Sequence, residues 1–174
     1  MTERQRGLLR LIEDAFGGVE LGDGVSLHET VVIDLYGGPE ERRAARDPDE
    51  KHDWRNLVGN AGLIRIAGVG GLSFYDSAGL RFHLPAYLSL AVTDSESTDV
   101  TNVLADLLYT LTHFPEYNRE RFAILSVPQR ACVREVLKYL RTQYDIPENA
   151  PITAQLDQAI EGYWASGPEA SSTG

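Results

Sequence analysis

The sequence predicts one α+β domain, mostly helical, with a small antiparallel β-hairpin or three-stranded sheet. Three observations carry that expectation. A chain of 174 residues with 43% hydrophobic content is enough for one core and too short to expect two. Several stretches place apolar residues at helical spacing directly after a capping box. One stretch, Leu72 to Leu88 (LSFYDSAGLRFHLPAYL), alternates with period two instead. Residues 1–164 are expected to form the globular domain and 165–174 a disordered small-residue tail.

The chain opens with a capping box, Thr2-Glu3-Arg4-Gln5, and a helix with Leu8, Ile12, Ala15 and Phe16 on one face, stopped by Gly17-Gly18. A turn-rich connector, Gly22-Asp23-Gly24, leads to a second box at Ser26 and Glu29. The helix it starts runs through Tyr36 and closes on Gly37-Gly38, with His28 as polar surface in its first turn. Pro39 to Arg55 is crowded with both signs of charge. That pattern reads as a solvated helical face laced with ion pairs worth at most ~0.5 kcal/mol each. Trp54 is expected to plug into the core and anchor the segment. The glycines of residues 59–71 do not make a phosphate loop, because no helix follows them directly and the Lys-Ser/Thr ending is missing. Leu63, Ile64 and Ile66 offer a third strand.

In the alternating stretch, Leu72 and Phe74 share one face and Ser73 and Tyr75 the other. Asp76-Ser77-Ala78-Gly79 has turn chemistry, after which Leu80, Phe82 and Leu84 alternate with Arg81 and His83. Pro85 ends the second strand and starts a short helix from Ala86 to Val92. Beyond a polar acidic loop at residues 93–100, a helix from Thr101 to Phe114 is apolar almost all round, which marks it as the most buried. Ser126-Val127-Pro128-Gln129 is a third capping box, opening a helix to about Gln143, and Ile152, Leu156, Ile160 and Trp164 lie on one last short helix within 146–164.

The motif LSFYD-x-x-GLRFHLPAY, the Ser26-Leu27-His28-Glu29 run, Trp54 and the QRxxVxxxLxYL pattern from Gln129 to Leu140 together resemble a bacterial family of short acidic proteins with no assigned function. The resemblance spans roughly residues 8 to 141 and implies fold and bacterial origin, with no active site to carry over.

Composition narrows the function. No apolar run approaches the ~20 residues of a membrane span and no signal-peptide region opens the chain, so a soluble, cytoplasmic protein is expected. The single cysteine, Cys132, leaves no internal disulfide or cysteine-based zinc site, and its helical context suits a buried, inert thiol. No HExxH, paired-histidine or Gly-x-Ser-x-Gly spacing occurs, and neither metal nor cofactor is expected. His113, at a helix end, reads as a partner for the helix dipole.

Charge is the most informative remaining feature. The net charge is −10, and three stretches without any Lys or Arg hold 18 of the 26 acids, so the surface is expected to be polarised. The leading expectation is a non-catalytic protein that binds a basic protein through an acidic surface, as an immunity protein does when it neutralises a basic toxin. The residues that fit are Asp94, Glu96 and Asp99, then Asp47, Asp49, Glu50 and Asp53. An alternative is a small enzyme using Tyr75, Asp76, Arg81 and His83 on the outward face of the hairpin. A further alternative is binding of nucleic acid or a phosphate ligand through a basic helix stripe, Arg130, Arg134, Lys138 and Arg141, although the acidity of the whole argues against it.

Overall fold

The structure is a computed structural model describing residues 1–59, 62–63, 70–93, 101–143 and 151–166. Among these residues every regular element is helical and no strand occurs, which corrects the α+β expectation. Eight α-helices are described: α1 (Glu3–Phe16), α2 (Glu29–Asp34), α3 (Pro39–Arg46), α4 (Ser77–Thr93), α5 (Thr101–Thr112), α6 (Glu116–Ala123), α7 (Val127–Gln143) and α8 (Pro151–Gln158). Two 3₁₀ turns, Trp54–Leu57 and Gly71–Ser73, and a π-helical turn at Ala159–Tyr163 complete them.

The segment read as a hairpin is the 3₁₀ turn at Gly71–Ser73 followed by the first half of α4. Helix α4, and not the 101–114 segment, is the most buried; α1, α5, α6, α7 and the 3₁₀ turn at Trp54 all pack on it. Because α4 is buried on every face, Leu80, Phe82 and Leu84 satisfy period two while Leu80, Leu84 and Leu88 satisfy a spacing of four. Alternation there carried no information about the element. The supposed hairpin turn is a helix cap. The Asp76 side chain accepts the Gly79 N–H at 2.8 Å and the Asp76 carbonyl accepts the Leu80 N–H at 2.8 Å. An N-cap and a β-turn both favour Asp at their first position, so the four residues alone do not separate them. Pro85 sits inside the helix, where loss of its hydrogen bond to the preceding turn costs about 3 kcal/mol in general, and the packing on all sides offsets that cost. Of the expected third strand, Leu63 is buried, and Ile64 and Ile66 lie outside the described residues.

Two capping boxes form as expected. In α1 the Thr2 N–H donates to the Gln5 side chain at 2.7 Å and the Gln5 N–H to Thr2 Oγ1 at 3.2 Å. In α7 the reciprocal bonds join Ser126 and Gln129 at 3.0 and 3.4 Å. Helices α1 and α7 lie against α4 and against each other, burying Leu8, Ile12 and Phe16 with Val133, Val136, Leu137 and Leu140. Trp54 is buried, and its indole N–H donates to the Phe16 carbonyl at 3.0 Å, tying the charged segment to the end of α1.

Helix α6 has no counterpart among the expected elements and supplies an internal anchor. Arg121 is buried, and its Nη1 donates to the carbonyls of Leu72 (2.6 Å) and Tyr75 (3.1 Å), its Nη2 to the Asn118 side-chain oxygen. Asp106 on α5 accepts the Leu72 N–H and faces the same guanidinium, while burial pushes its carboxyl above the usual range. The turn that leads into α4 is thus held from α5 and α6 together.

Candidate functional site

The acids expected to form a binding face separate sharply. Asp94, Glu96 and Asp99 lie outside the described residues. Asp49 is buried, its side chain 3% exposed, and it accepts from His28 twice, from the backbone N–H at 2.8 Å and from Nδ1 at 2.5 Å. Glu50 accepts the backbone N–H groups of Lys51, His52 and Asp53 at 2.9, 2.8 and 3.1 Å and the Asn56 amide at 2.8 Å. Those donors, the His52 N–H foremost, hold its carboxyl down at about 2. Asp53 caps the 3₁₀ turn at Trp54 and pairs with Arg55, which depresses its carboxyl as well. Of these four, only Asp47 keeps a carboxylate without a partner. The 47–53 acids therefore organise their own loop, and spacing alone does not reveal this because their donors are mostly backbone N–H groups.

The same loop walls a cleft of about 510 Å³ lined by Leu27, His28, Asp49, Lys51, His52 and Asn56, among others. Since a carboxylate only accepts, Nδ1 of His28 is the donor in that bond, and the His28 side chain is 52% exposed. A carboxylate-held imidazole in a cleft suits proton transfer, but no hydroxyl or thiol nucleophile stands beside it there. No Ser, Thr or Cys lines the cleft, Lys51 Nζ is bound to the carbonyls of Arg46, Asp47 and Asp49, and the Asn56 amide donates to Glu50. The pair is a latch between the start of α2 and the loop after α3. Alongside it, Glu29 accepts two bonds from Arg42 at 3.0 and 2.8 Å, and Arg46 donates to the carbonyls of Gly22 and Gly24.

Of the cluster expected on an outward hairpin face, Tyr75 and His83 lie inside the molecule, Arg81 is half-buried and Asp76 is exposed. Tyr75 and His83 are fully buried and stacked, ring centroids 4.2 Å apart, and the Tyr75 hydroxyl lies 3.5 Å from that of Tyr87. His83 Nδ1 donates to the Gly79 carbonyl at 2.7 Å, and burial lowers its pKa to about 4 while raising both tyrosines. Asp76 is the α4 cap, and Arg81 Nε is buried without an acceptor. Tyr75 and His83 therefore meet no solvent-borne substrate, and they do not share one surface with Asp76. Cys132 is buried too, and desolvation pushes its thiol up to about 12.

The basic stripe of α7 is also covered. Arg130 donates to the Tyr163 carbonyl at 2.8 Å and lies over the rings of Tyr163 and Trp164, Arg134 binds the Ile160 carbonyl and Glu161, Lys138 pairs with Glu135, and Arg141 with Asp157. Arg130, Arg134 and Arg141 clamp the C-terminal helix and the turn after it, while Lys138 pairs within α7.

Two exposed apolar side chains stand side by side at a corner between α2 and α3. The sequence read Tyr36 as the last residue of a helix. In the structure it follows the cap of α2, with φ +59°, and is 95% exposed beside Leu35 at 69%. The Gly37 N–H reaches the Val32 carbonyl at 2.8 Å and the Tyr36 N–H the Ile33 carbonyl at 3.0 Å, a Schellman ending in which tyrosine occupies the left-handed position that glycine usually takes. At Gly37, one residue later, a Cβ would stand 2.4 Å from Val32 Cγ1, so a larger residue there would force the Val32 side chain to shift. Asp34 and Glu40 flank the pair without any partner, and a shallow groove lined by Gly38, Pro39, Glu40, Glu41 and Arg43 lies next to it. The sequence signal for this corner was a Leu-Tyr pair directly before Gly-Gly.

A protein-family model, described as a family of unknown function (DUF6714), matches residues 4–167. No curated protein and no solved structure matches the chain. The comparisons thus lend nothing to a toxin-neutralising role, which is not carried forward. No helix among the described residues is long and apolar enough to cross a membrane.

Proposed function

The chain belongs to that family, and we propose from its surface that it binds a basic protein partner, docked on the α2–α3 corner around Leu35 and Tyr36. Tyr36 is the observation that carries the reading. A left-handed backbone costs a non-glycine residue roughly 1–2 kcal/mol, and a large aromatic held there in full exposure gains nothing for the fold. Tyrosine is among the residue types that anchor protein interfaces, with apolar neighbours that exclude water around it. Among the described residues Asp34 and Glu40 have no ion-pair partner, and Arg42 and Arg46 of α3 and Arg134 and Arg141 of α7 are engaged elsewhere, leaving Arg43 as the cation beside the groove. A partner offering an apolar pocket rimmed by Lys or Arg fits that corner. A cytoplasmic setting belongs to this reading, as does the absence of chemistry at the interface.

The test is a photo-crosslinking amino acid placed at position 36 in the producing cell, with Tyr109, another exposed tyrosine, as the control position. A basic protein captured at 36 and not at 109, and lost when Asp34 and Glu40 are both changed to Lys, is the expected result. No adduct, or the same adducts at both positions, would remove the proposal.

A further inference from the structure

A second pocket lies on the opposite side of the chain's charge pattern, where cations gather. The first turn of α7 and the end of the π-helical turn enclose about 430 Å³ lined by Leu125, Val127, Arg130, Ala131, Arg134 and Trp164, with Ser126 and Ala165 at the edge. The volume falls within the range of small-molecule sites, and the wall is mostly apolar with a small number of polar groups, as such sites require. Val127 is 81% exposed at its rim, an apolar side chain left in water at the start of a helix.

The two guanidinium groups are held rigidly and are not saturated. Arg130 uses Nη2 on the Tyr163 carbonyl and Nη1 on the Tyr163 hydroxyl, and its plane rests on two aromatic rings. Arg134 uses Nε on the Ile160 carbonyl and Nη2 on Glu161. Among the described residues, Arg130 Nε and Arg134 Nη1 have no acceptor and are not fully buried, although Arg130 as a whole is only 4% exposed. They are donors within reach of solvent, fixed beside an apolar wall.

We propose that this pocket is a binding site for a small amphipathic anion, a compact apolar body carrying one carboxylate. The apolar part lies against Leu125, Val127, Ala131 and Trp164, and the carboxylate accepts from the open Arg130 and Arg134 donors. The site is independent of the α2–α3 corner. A ligand of opposite character is excluded by the same inventory: a cation would face two guanidinium groups, and a purely polar anion would leave the wall wet.

The experiment is an NMR titration of the intact protein with sodium octanoate and, separately, with 1-octanol, following the Trp164 indole and Val127 methyl signals. Octanoate is expected to shift both saturably and to bind about tenfold more tightly than octanol, one charge-assisted contact being worth about that factor. Arg134→Gln, which leaves Arg130 in place, should narrow the preference for octanoate, and Ala131→Trp, at an exposed position, should fill the pocket and abolish both shifts. Absence of any shift at millimolar octanoate, equal affinity for octanol in the unaltered protein, or unchanged binding in Ala131→Trp would each overturn the proposal.

Discussion

Gly24 and Gly79 meet backbone to backbone: a Cβ on Gly24 would stand 2.5 Å from the Gly79 nitrogen, and one on Gly79 would stand 2.5 Å from the Val25 carbonyl oxygen. Asp76 closes the same contact, since its Oδ1 accepts the Val25 N–H at 3.0 Å as well as the Gly79 N–H. The connector before α2 is thereby seated on the first turn of α4. Helix propensity alone favours alanine over glycine by about 1 kcal/mol. Gly79→Ala is nevertheless expected to destabilise by about 2 kcal/mol, because the methyl group forces the two backbones apart. A urea midpoint that rises instead would show the connector free to move away.

Tyr36→Gly should separate folding from binding. Glycine suits the left-handed position, so the variant is expected to be about 1 kcal/mol more stable in urea unfolding. The same substitution removes the proposed anchor, and capture of the basic partner should be lost. Unaltered stability would mean that the tyrosine makes contacts that offset its backbone cost.

Arg121→Met tests the internal anchor. Its loss leaves the Leu72 carbonyl without its 2.6 Å partner and Asp106 without its facing cation, and a cost of about 3 kcal/mol is expected. Arg121→Lys should recover little, since one ammonium does not span Leu72, Tyr75 and Asn118 as the guanidinium does. Full recovery in the lysine variant would reduce the role to charge alone.

Acid should weaken the fold in two separate windows. Burial lowers the His83 pKa from 6.5 to about 4, so between those values the unfolded chain holds a proton that the folded one lacks, and stability falls as pH falls. Glu50, lowered from 4.5 to about 2 by its N–H donors, contributes stability present above 4.5 that is lost as pH drops toward 2. In urea midpoints measured against pH, His83→Leu is expected to flatten the upper window and Glu50→Gln the lower one. A profile unchanged in both variants would assign acid sensitivity to other groups.

Much of the helical framework was legible because its signals are local. Thr2 with Gln5 and Ser126 with Gln129 announce their helices within four residues, and Trp54 stands out as the large apolar side chain in a charged run. The centre was illegible for the opposite reason. A helix wetted on no side has no polar face to set its period, so α4 read as strands, and His83 read as outward polarity although its polar atom bonds to the preceding turn. The His28–Asp49 latch joins residues 21 apart, and the covering of the α7 stripe joins Arg130 to Tyr163; neither spacing is a motif. Tyr36 was visible only as a helix end, since exposure and a left-handed backbone belong to the folded chain.

The clamp on α7 also sets an order of events during synthesis. Arg130, Arg134 and Arg141 leave the ribosome before Asp157, Ile160, Glu161 and Tyr163, the residues that receive them. Until that last stretch emerges, α7 displays a row of unanswered positive charge on an otherwise acidic nascent chain, and the translating ribosome is itself a polyanion. For a short interval the newborn chain thus carries a positive face on α7 that the finished protein covers, and folding of the C-terminal turn is the step that removes it.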